Sequence, residues 1–334
     1  MKTLLLFAAT LSIFNCSYGQ ENKTPLNFFT YQQAQVSEII RCIYEDKKQR
    51  LWFGTNNDGV CMYDGKSLTY FNYSNGFAGR AVREIAEDRN GNLWFATDRG
   101  LIKYNGKEFS IFTQKDGLPH SDCWSLLIDR KGIIWIGTLE GACRYEGKNF
   151  TAFEVPAAIE RDFTRGVTSA KIIWDIKEDS KGRIWLATNG RGVYVYNGRS
   201  LANVSKADGL GGNFVNGILE DRKGNIWFAT QHNGVSRRPG KSFTHFTDKE
   251  LCGKEAWRLF EDSKGNIWAS LRGCVARYDG KAFSIFNAKD GLNNCCVQAI
   301  FEDNAGRMWF GSGAGLFRLE GERFVNVTKN GRWK

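Results

Sequence analysis

The sequence predicts an all-β fold, a seven-bladed β-propeller of four-stranded antiparallel blades, and three observations predict it. One phrase recurs seven times, the repeating unit is close to 42 residues long, and each unit holds four short runs rich in Ile, Val, Phe, Trp and Tyr. The phrase reads Leu51-Trp52-Phe53-Gly54-Thr55, Leu93-Trp94-Phe95-Ala96-Thr97, Ile134-Trp135-Ile136-Gly137-Thr138, Ile184-Trp185-Leu186-Ala187-Thr188, Ile226-Trp227-Phe228-Ala229-Thr230, Ile267-Trp268-Ala269-Ser270 and Met308-Trp309-Phe310-Gly311-Ser312. Its Trp residues are 42, 41, 50, 42, 41 and 41 positions apart.

The second unit justifies the elements in order. Val82 to Glu87 forms strand A, and the acidic turn Glu87-Asp88-Arg89-Asn90-Gly91-Asn92 reverses the chain. There Asp can bond the backbone two residues on, and Gly takes the positive φ. Leu93 to Thr97 is strand B, the phrase itself. Strand C is Leu101 to Tyr104 within the Gly-led stretch Gly100-Leu101-Ile102-Lys103-Tyr104-Asn105-Gly106, and Phe109 to Phe112 is strand D. A four-stranded unit with two apolar faces must pack against its neighbours, and seven such units close a ring with no open ends to cap. Val36, Ile39, Ile40 and Ile43 also suit a helix, but the phase of the repeat assigns them to the first strand A.

The propeller is expected over residues 36–328, followed by a tail at 329–334. Residues 1–19 read as a signal peptide: Lys2, an apolar run from Leu4 to Phe14, then Ser17-Tyr18-Gly19 as a small-x-small cleavage site. Residues 20–35 contain Leu26-Asn27-Phe28-Phe29-Thr30-Tyr31, a candidate clasp strand that competes with Phe324-Val325-Asn326-Val327 to complete blade 7. Cys16 lacks the small preceding residues of a lipid-anchored cysteine. No stretch reaches the length of a membrane helix, so a monomer exported to the periplasm or the exterior is expected. A formal charge of +10 with Lys and Arg spread among turns argues for a solvated surface rather than nucleic-acid binding. Long-range attraction of an acidic glycan needs only the net sign.

The acidic turn, Leu-Trp-Ile-Gly-Thr phrase, Gly-led strand and Tyr-x-Gly end resemble the two-component regulator propeller repeat, over residues 36–327. The resemblance implies a sensor region of the kind found outside the cytoplasm in hybrid histidine kinases, many of them responsive to glycans. No immunoglobulin-like domain, membrane helix or kinase follows the seventh unit, so phosphotransfer is not carried over.

Function is sought where the repeats disagree. Counting five residues back from each turn Asp gives Arg41, Arg83, Trp124, Trp174, Asn216, Trp257 and Gln298, while the positions three and six back are almost always apolar. The start of the innermost strand lies at the rim of the channel. Planar polar and aromatic side chains there suit a sugar, with rings on C–H patches and amides and guanidinium groups on hydroxyls or carboxylates. Against this stands simple packing of the Trp residues on the next blade. The B–C turns on the same face vary and add Asp98, Arg99, Arg191, His232 and Arg272 as ligand-binding candidates. The long Trp interval places an insertion, Glu154 to Lys171 with Arg161, Phe163 and Arg165, beside this face as a flap.

The strand-B Trp residues and the Glu-Asp pairs are assigned to architecture, the corners being too far apart to act as paired carboxylates. The cysteines outside the leader, Cys42, Cys61, Cys123, Cys143, Cys252, Cys274, Cys295 and Cys296, permit disulfides; phase favours Cys252 with Cys274, and Cys295-Cys296 could form a vicinal bridge. No metal-ligand spacing or cofactor motif is present, and no cofactor is expected. A non-catalytic binder of a glycan, another polar ligand or a partner protein is the leading expectation. Streptogramin-type lyases use a His and a Glu on this face of a propeller, which makes His232 with Glu140 or Glu255 the alternative, as a lyase or hydrolase; a scaffold in an envelope complex is the third.

Overall fold

A computed structural model of the protein describes residues 35–160, 169–293 and 296–329. Seven four-stranded antiparallel sheets follow one another along the chain, each with its strands in sequence order. The innermost strands are Ile40–Glu45, Val82–Glu87, Cys123–Ile128, Ile173–Glu178, Val215–Glu220, Ala256–Glu261 and Val297–Glu302. Each lies beside the innermost strands of both neighbouring blades, so the seven together wall a central channel. Ile40 is thus in a strand, and the helical reading of this stretch is set aside.

The core is a ring of interblade seams. Trp52 and Val60 of blade 1 pack with Val82, Ile85 and Phe95 of blade 2, and Trp309 and Leu316 of blade 7 pack with Ile40 and Phe53 of blade 1. All seven strand-B indoles are at most 2% exposed. Such a ring buries well only if its N–H finds an acceptor. Each turn Asp supplies one: Trp52 Nε1 donates to Asp46 at 2.8 Å, and the same bond recurs at Trp94–Asp88, Trp135–Asp129, Trp185–Asp179, Trp227–Asp221, Trp268–Asp262 and Trp309–Asp303, none longer than 3.0 Å. The other carboxylate oxygen accepts two turn N–H groups, for example those of Lys223 and Asn225 on Asp221. Burial would raise the carboxyl pKa of Asp88, Asp179 and Asp262, but these hydrogen bonds outweigh it and hold all three below the usual range.

The Glu of each Glu-Asp pair does something the turn assignment did not foresee. Its carboxylate accepts a backbone N–H from the corner of the preceding blade, at 2.5 to 2.9 Å: Glu87 from Lys47, Glu178 from Arg130, Glu220 from Ser180, Glu261 from Arg222, Glu302 from Ser263, and Glu45 from Asn304 across the closure. Blade 3 has Ile128 in this place and lacks that bond; the Arg89 guanidinium reaches the Arg130 carbonyl there, a kind of tie also made at other joints, as by Lys47 to the Asp88 carbonyl. The small fourth residue of the phrase is explained by the same seams. A Cβ on Gly137 would strike Ser125 and Ile173, and one on Gly311 would strike Ile40.

Blade 7 takes Arg323–Asn326 as its outer strand. Beyond it Val36 N–H donates to the Thr328 carbonyl at 2.9 Å, tying the start of the described chain to its end. The clasp candidate at 26–31, the leader at 1–19 with Cys16, and the tail beyond residue 329 lie outside the described residues. Cys252 and Cys274 form a disulfide with a Cα–Cα distance of 6.4 Å, whereas Cys42, Cys61, Cys123 and Cys143 are buried thiols. Cys295 falls outside the described residues, so the vicinal bridge is not addressed. Among the described residues no helix is long and apolar enough to cross a membrane.

These seams yield two predictions. Asp221→Ala strands the Trp227 indole and two turn N–H groups in the core and should destabilise by roughly 2–4 kcal/mol, while Glu261→Ala, which frees one exposed N–H, should cost about 1 kcal/mol or less. Equal losses in urea titrations of the two variants would contradict the division of labour. Burial also raises the four thiols, Cys143 to about 12 from 9.0 and the others further, and pushes Tyr44 and Tyr70 from 10.0 to about 12. Groups raised on folding stabilise below their unfolded pKa and cease to do so as pH climbs through the folded one. The melting temperature should therefore hold steady up to about pH 9 and fall between about 9 and 12. Melts that stay level up to about pH 11 would refute it.

Candidate ligand site in the central channel

The site begins with a backbone irregularity shared by all seven blades. Pairing between the two innermost strands slips by one residue immediately after the first residue of strand A. The residues at the slip are Arg41, Arg83, Trp124, Trp174, Asn216, Trp257 and Gln298, with Arg258 sharing it in blade 6. A bulge bends its strand and re-aims a side chain that regular alternation would send elsewhere. These seven residues and Arg258 line a single cavity of about 90 Å³.

Arg83 donates to Asp122 at 2.5 Å and to the Cys123 carbonyl at 2.9 Å, and its guanidinium lies 4.0 Å from the centre of the Trp124 ring. Trp124 donates its indole N–H to the other Asp122 oxygen and meets Trp174 edge to face at 4.8 Å. Trp174 belongs to the core cluster shared by blades 4 and 5, with Trp124 packed on it, so both rings carry structure as well as lining the cavity. Asn216 donates to Gln231 at 3.0 Å and to the Ala256 carbonyl at 2.6 Å. Half-buried Trp257 donates to Glu255 at 2.9 Å, an oxygen that also accepts from Gln231.

Arg258 reaches across the channel from blade 6 to blade 2. It pairs with Glu84 at 3.5 Å and donates to the carbonyls of Gln298 and Arg83. Burial would lower its pKa, yet Glu84 and then Asp175 more than offset this and the net shift is upward. Arg41 shares with Arg83 a buried Nε without a partner, but unlike Arg83 and Arg258 its guanidinium forms no hydrogen bond or ion pair among the described residues. Burial first, then Arg83 and Arg258, pull it down to about 9.

The B–C turn candidates do not line the cavity. Asp98 accepts the Arg80 and Ala81 N–H groups, both at 2.9 Å, and so fixes its own blade's entry loop. Arg191 donates to the Ala157 carbonyl at 2.5 Å and anchors the base of the insertion, whose described ends also meet between Ala158 and Ala170; Arg161, Phe163 and Arg165 lie outside the described residues. Arg99 is exposed, Arg272 pairs with Glu255 at the surface, and exposed His232 sets its ring against Phe214 at 5.5 Å. Glu255, the lyase reading's second residue, thus already bonds Gln231, Trp257 and Arg272. Glu140 is exposed. Among the described residues no three His, Cys, Asp or Glu side chains gather as a metal site.

Arg258 escaped the sequence reading because the bulge puts two consecutive residues of blade 6 at the cavity where strict alternation allows one. A signal existed: the position after the variable one reads Cys42, Glu84, Ser125, Asp175, Gly217, Arg258 and Ala299, so its charges stand out among small residues.

The two-component regulator propeller family matches residues 35–57, 76–99, 117–140, 168–190, 209–232 and 291–314. The sixth blade, with the altered phrase Ile267-Trp268-Ala269-Ser270, carries no match. No curated protein matches the sequence. Among solved structures, the extracellular domain of the hybrid two-component system BT3049 from B. thetaiotaomicron superposes with a TM-score of 0.72 at 24% identity, over 86% of this chain and 39% of that one. This chain therefore spans well under half of that relative's length. Virginiamycin B lyase from Staphylococcus aureus, solved with quinupristin, gives 0.67 at 13% identity over 85% and 97% of the two chains. PorZ, a surface component of the type-IX secretion system of Porphyromonas gingivalis, gives 0.67 at 14% over 89% and 48%. These likenesses share the propeller fold. With six of its seven blades carrying the repeat in register around the ring, the chain belongs to the two-component regulator propeller family.

Proposed function

We propose that the protein is an exported, non-catalytic sensor-type propeller that receives one end of a polar ligand, a glycan in the first instance, at the mouth of its channel. One observation carries this reading: the inner-strand position that holds Arg, Trp, Asn or Gln from blade to blade is the one that a bulge in every blade turns toward a common cavity. A space of about 90 Å³ is several times what one water molecule needs but well below the volume of a site that engulfs a whole ligand. It fits a terminal sugar ring or its substituents, with the rest of the chain lying outside.

The side chains present have the chemistry for that task. Indole rings offer apolar faces, and Asn216, Gln298 and the arginines offer donors and acceptors for hydroxyls. The lyase reading has less support, since the cavity holds neither His232 nor Glu255 among its lining residues.

A glycan array followed by calorimetry on the hit tests the proposal. Trp257→Ala should weaken binding about tenfold or more, a change of about 1.4 kcal/mol, and leave the fold intact by circular dichroism. Unchanged affinity in both Trp124→Ala and Trp257→Ala would remove the site assignment. Turnover of the glycan that vanishes in His232→Ala would replace it with the lyase.

A further inference from the structure

We infer that Arg41 is the seat of a carboxylate carried by the ligand, so that the channel mouth selects acidic over neutral molecules. This rests on the channel being the binding site, and it adds the charge class of what binds. The argument is one of charge balance inside the cavity. Three guanidinium groups line it, those of Arg41, Arg83 and Arg258. Two have a carboxylate within the protein: Asp122 for Arg83 at 2.5 Å and Glu84 for Arg258 at 3.5 Å. Arg41 has neither an ion pair nor a hydrogen bond among the described residues, and its Nε is shielded from solvent.

Arg41 is half-buried, with its Nε shielded and no carboxylate beside it, and a cation held in such a place without a partner is costly relative to a hydrocarbon of the same size. A methionine would fill the same space without that cost. Nor can a nearby carboxylate turn to serve Arg41: Asp122 is held by both Arg83 and the Trp124 indole, and Glu84 faces Arg258. The proximity of two further cations, which together with burial lowers the Arg41 pKa, makes the spot attractive to an anion for the same reason that it repels a proton. A guanidinium presents two parallel N–H donors, the geometry of a carboxylate, and it would keep its charge once paired. The aromatic rings in the same lining match an acid attached to a carbon frame, such as a uronic acid, better than a free inorganic ion.

The test uses the whole protein, wild type and Arg41→Met, in thermal melts with sodium glucuronate, glucose 6-sulfate, or glucose plus sodium chloride at one ionic strength. Three results are expected. In the glucose and chloride control, Arg41→Met melts higher than wild type by about 2 °C or more, because a half-buried, unpaired cation crowded by Arg83 and Arg258 has been removed. Glucuronate raises the melting temperature of wild type above that control, and it has no effect on Arg41→Met. A larger rise with the sulfate than with glucuronate would transfer the seat from carboxylates to sulfate esters and overturn the assignment as made. An Arg41→Met protein that melts at or below wild type, a glucuronate effect that survives the substitution, or no glucuronate effect in wild type would each overturn it as well. The two readings fail separately. Calorimetric binding of a neutral glycan that depends on Trp257 but not on Arg41 would leave the channel site standing without its acid selectivity. A glucuronate effect lost in Arg41→Met, with no glycan bound by calorimetry, would leave the anion seat and remove the glycan.

Discussion

The bond from each strand-B indole to the Asp of its own corner is the interaction on which the rest of the ring depends. A tryptophan side chain removes a large apolar area from water, but only if its N–H is satisfied, and a buried carboxylate is tolerable only with several donors around it. The two requirements solve one another here. Asp262 takes the Trp268 indole on one oxygen and the turn N–H groups of Lys264 and Asn266 on the other, and the five-residue corner that delivers those donors is the one that returns the chain into the Trp strand. Local turn, strand pairing and interblade core are therefore one cooperative unit, used seven times. In six of the seven blades the neighbouring Glu extends it sideways, fixing the corner to the one before.

With one end of each inner strand so constrained, the other end is free to differ. Five residues separate the corner Asp from the bulged position, and the same bulge appears whether that position holds Arg, Trp, Asn or Gln. The bulge belongs to the framework and the side chain does not. The structure thus separates what must be constant from what can carry specificity within a single six-residue strand. Inner-strand carbonyls left by the irregularity are taken up by the neighbours, as when Arg83 caps Cys123 and Asn216 caps Ala256, which gives these polar residues a packing role alongside the one proposed.

Much of this was legible in the sequence, for physical reasons. Period, strand order and the seven buried Trp residues could be read because a repeat multiplies a weak local pattern. The variable position could be found because its neighbours three residues from the turn and six from it are almost always apolar. What could not be read was geometry that has no compositional trace. Nothing in Ile40-Arg41-Cys42 announces a bulge, and without it Trp257 and Arg258 could not be placed on one cavity. The B–C turns vary as much as the channel position does, yet Asp98 and Arg191 vary because each braces a different loop, so variability alone did not separate support from lining. The reach of Glu87 to Lys47 was hidden because the two residues are 40 positions apart and meet only when blades 1 and 2 pack together.

The substitution of Ile128 for Glu at one corner leaves the joint between blades 2 and 3 unlike the other six. Low on that joint the tie is a single guanidinium–carbonyl bond from Arg89; at its upper end the tie is Arg83, held to Asp122 and to the Cys123 carbonyl. Arg83 also lines the cavity. The clamp of one joint and the wall of the channel are thus the same side chain, so a substitution of Arg83 would loosen that joint and reshape the cavity together.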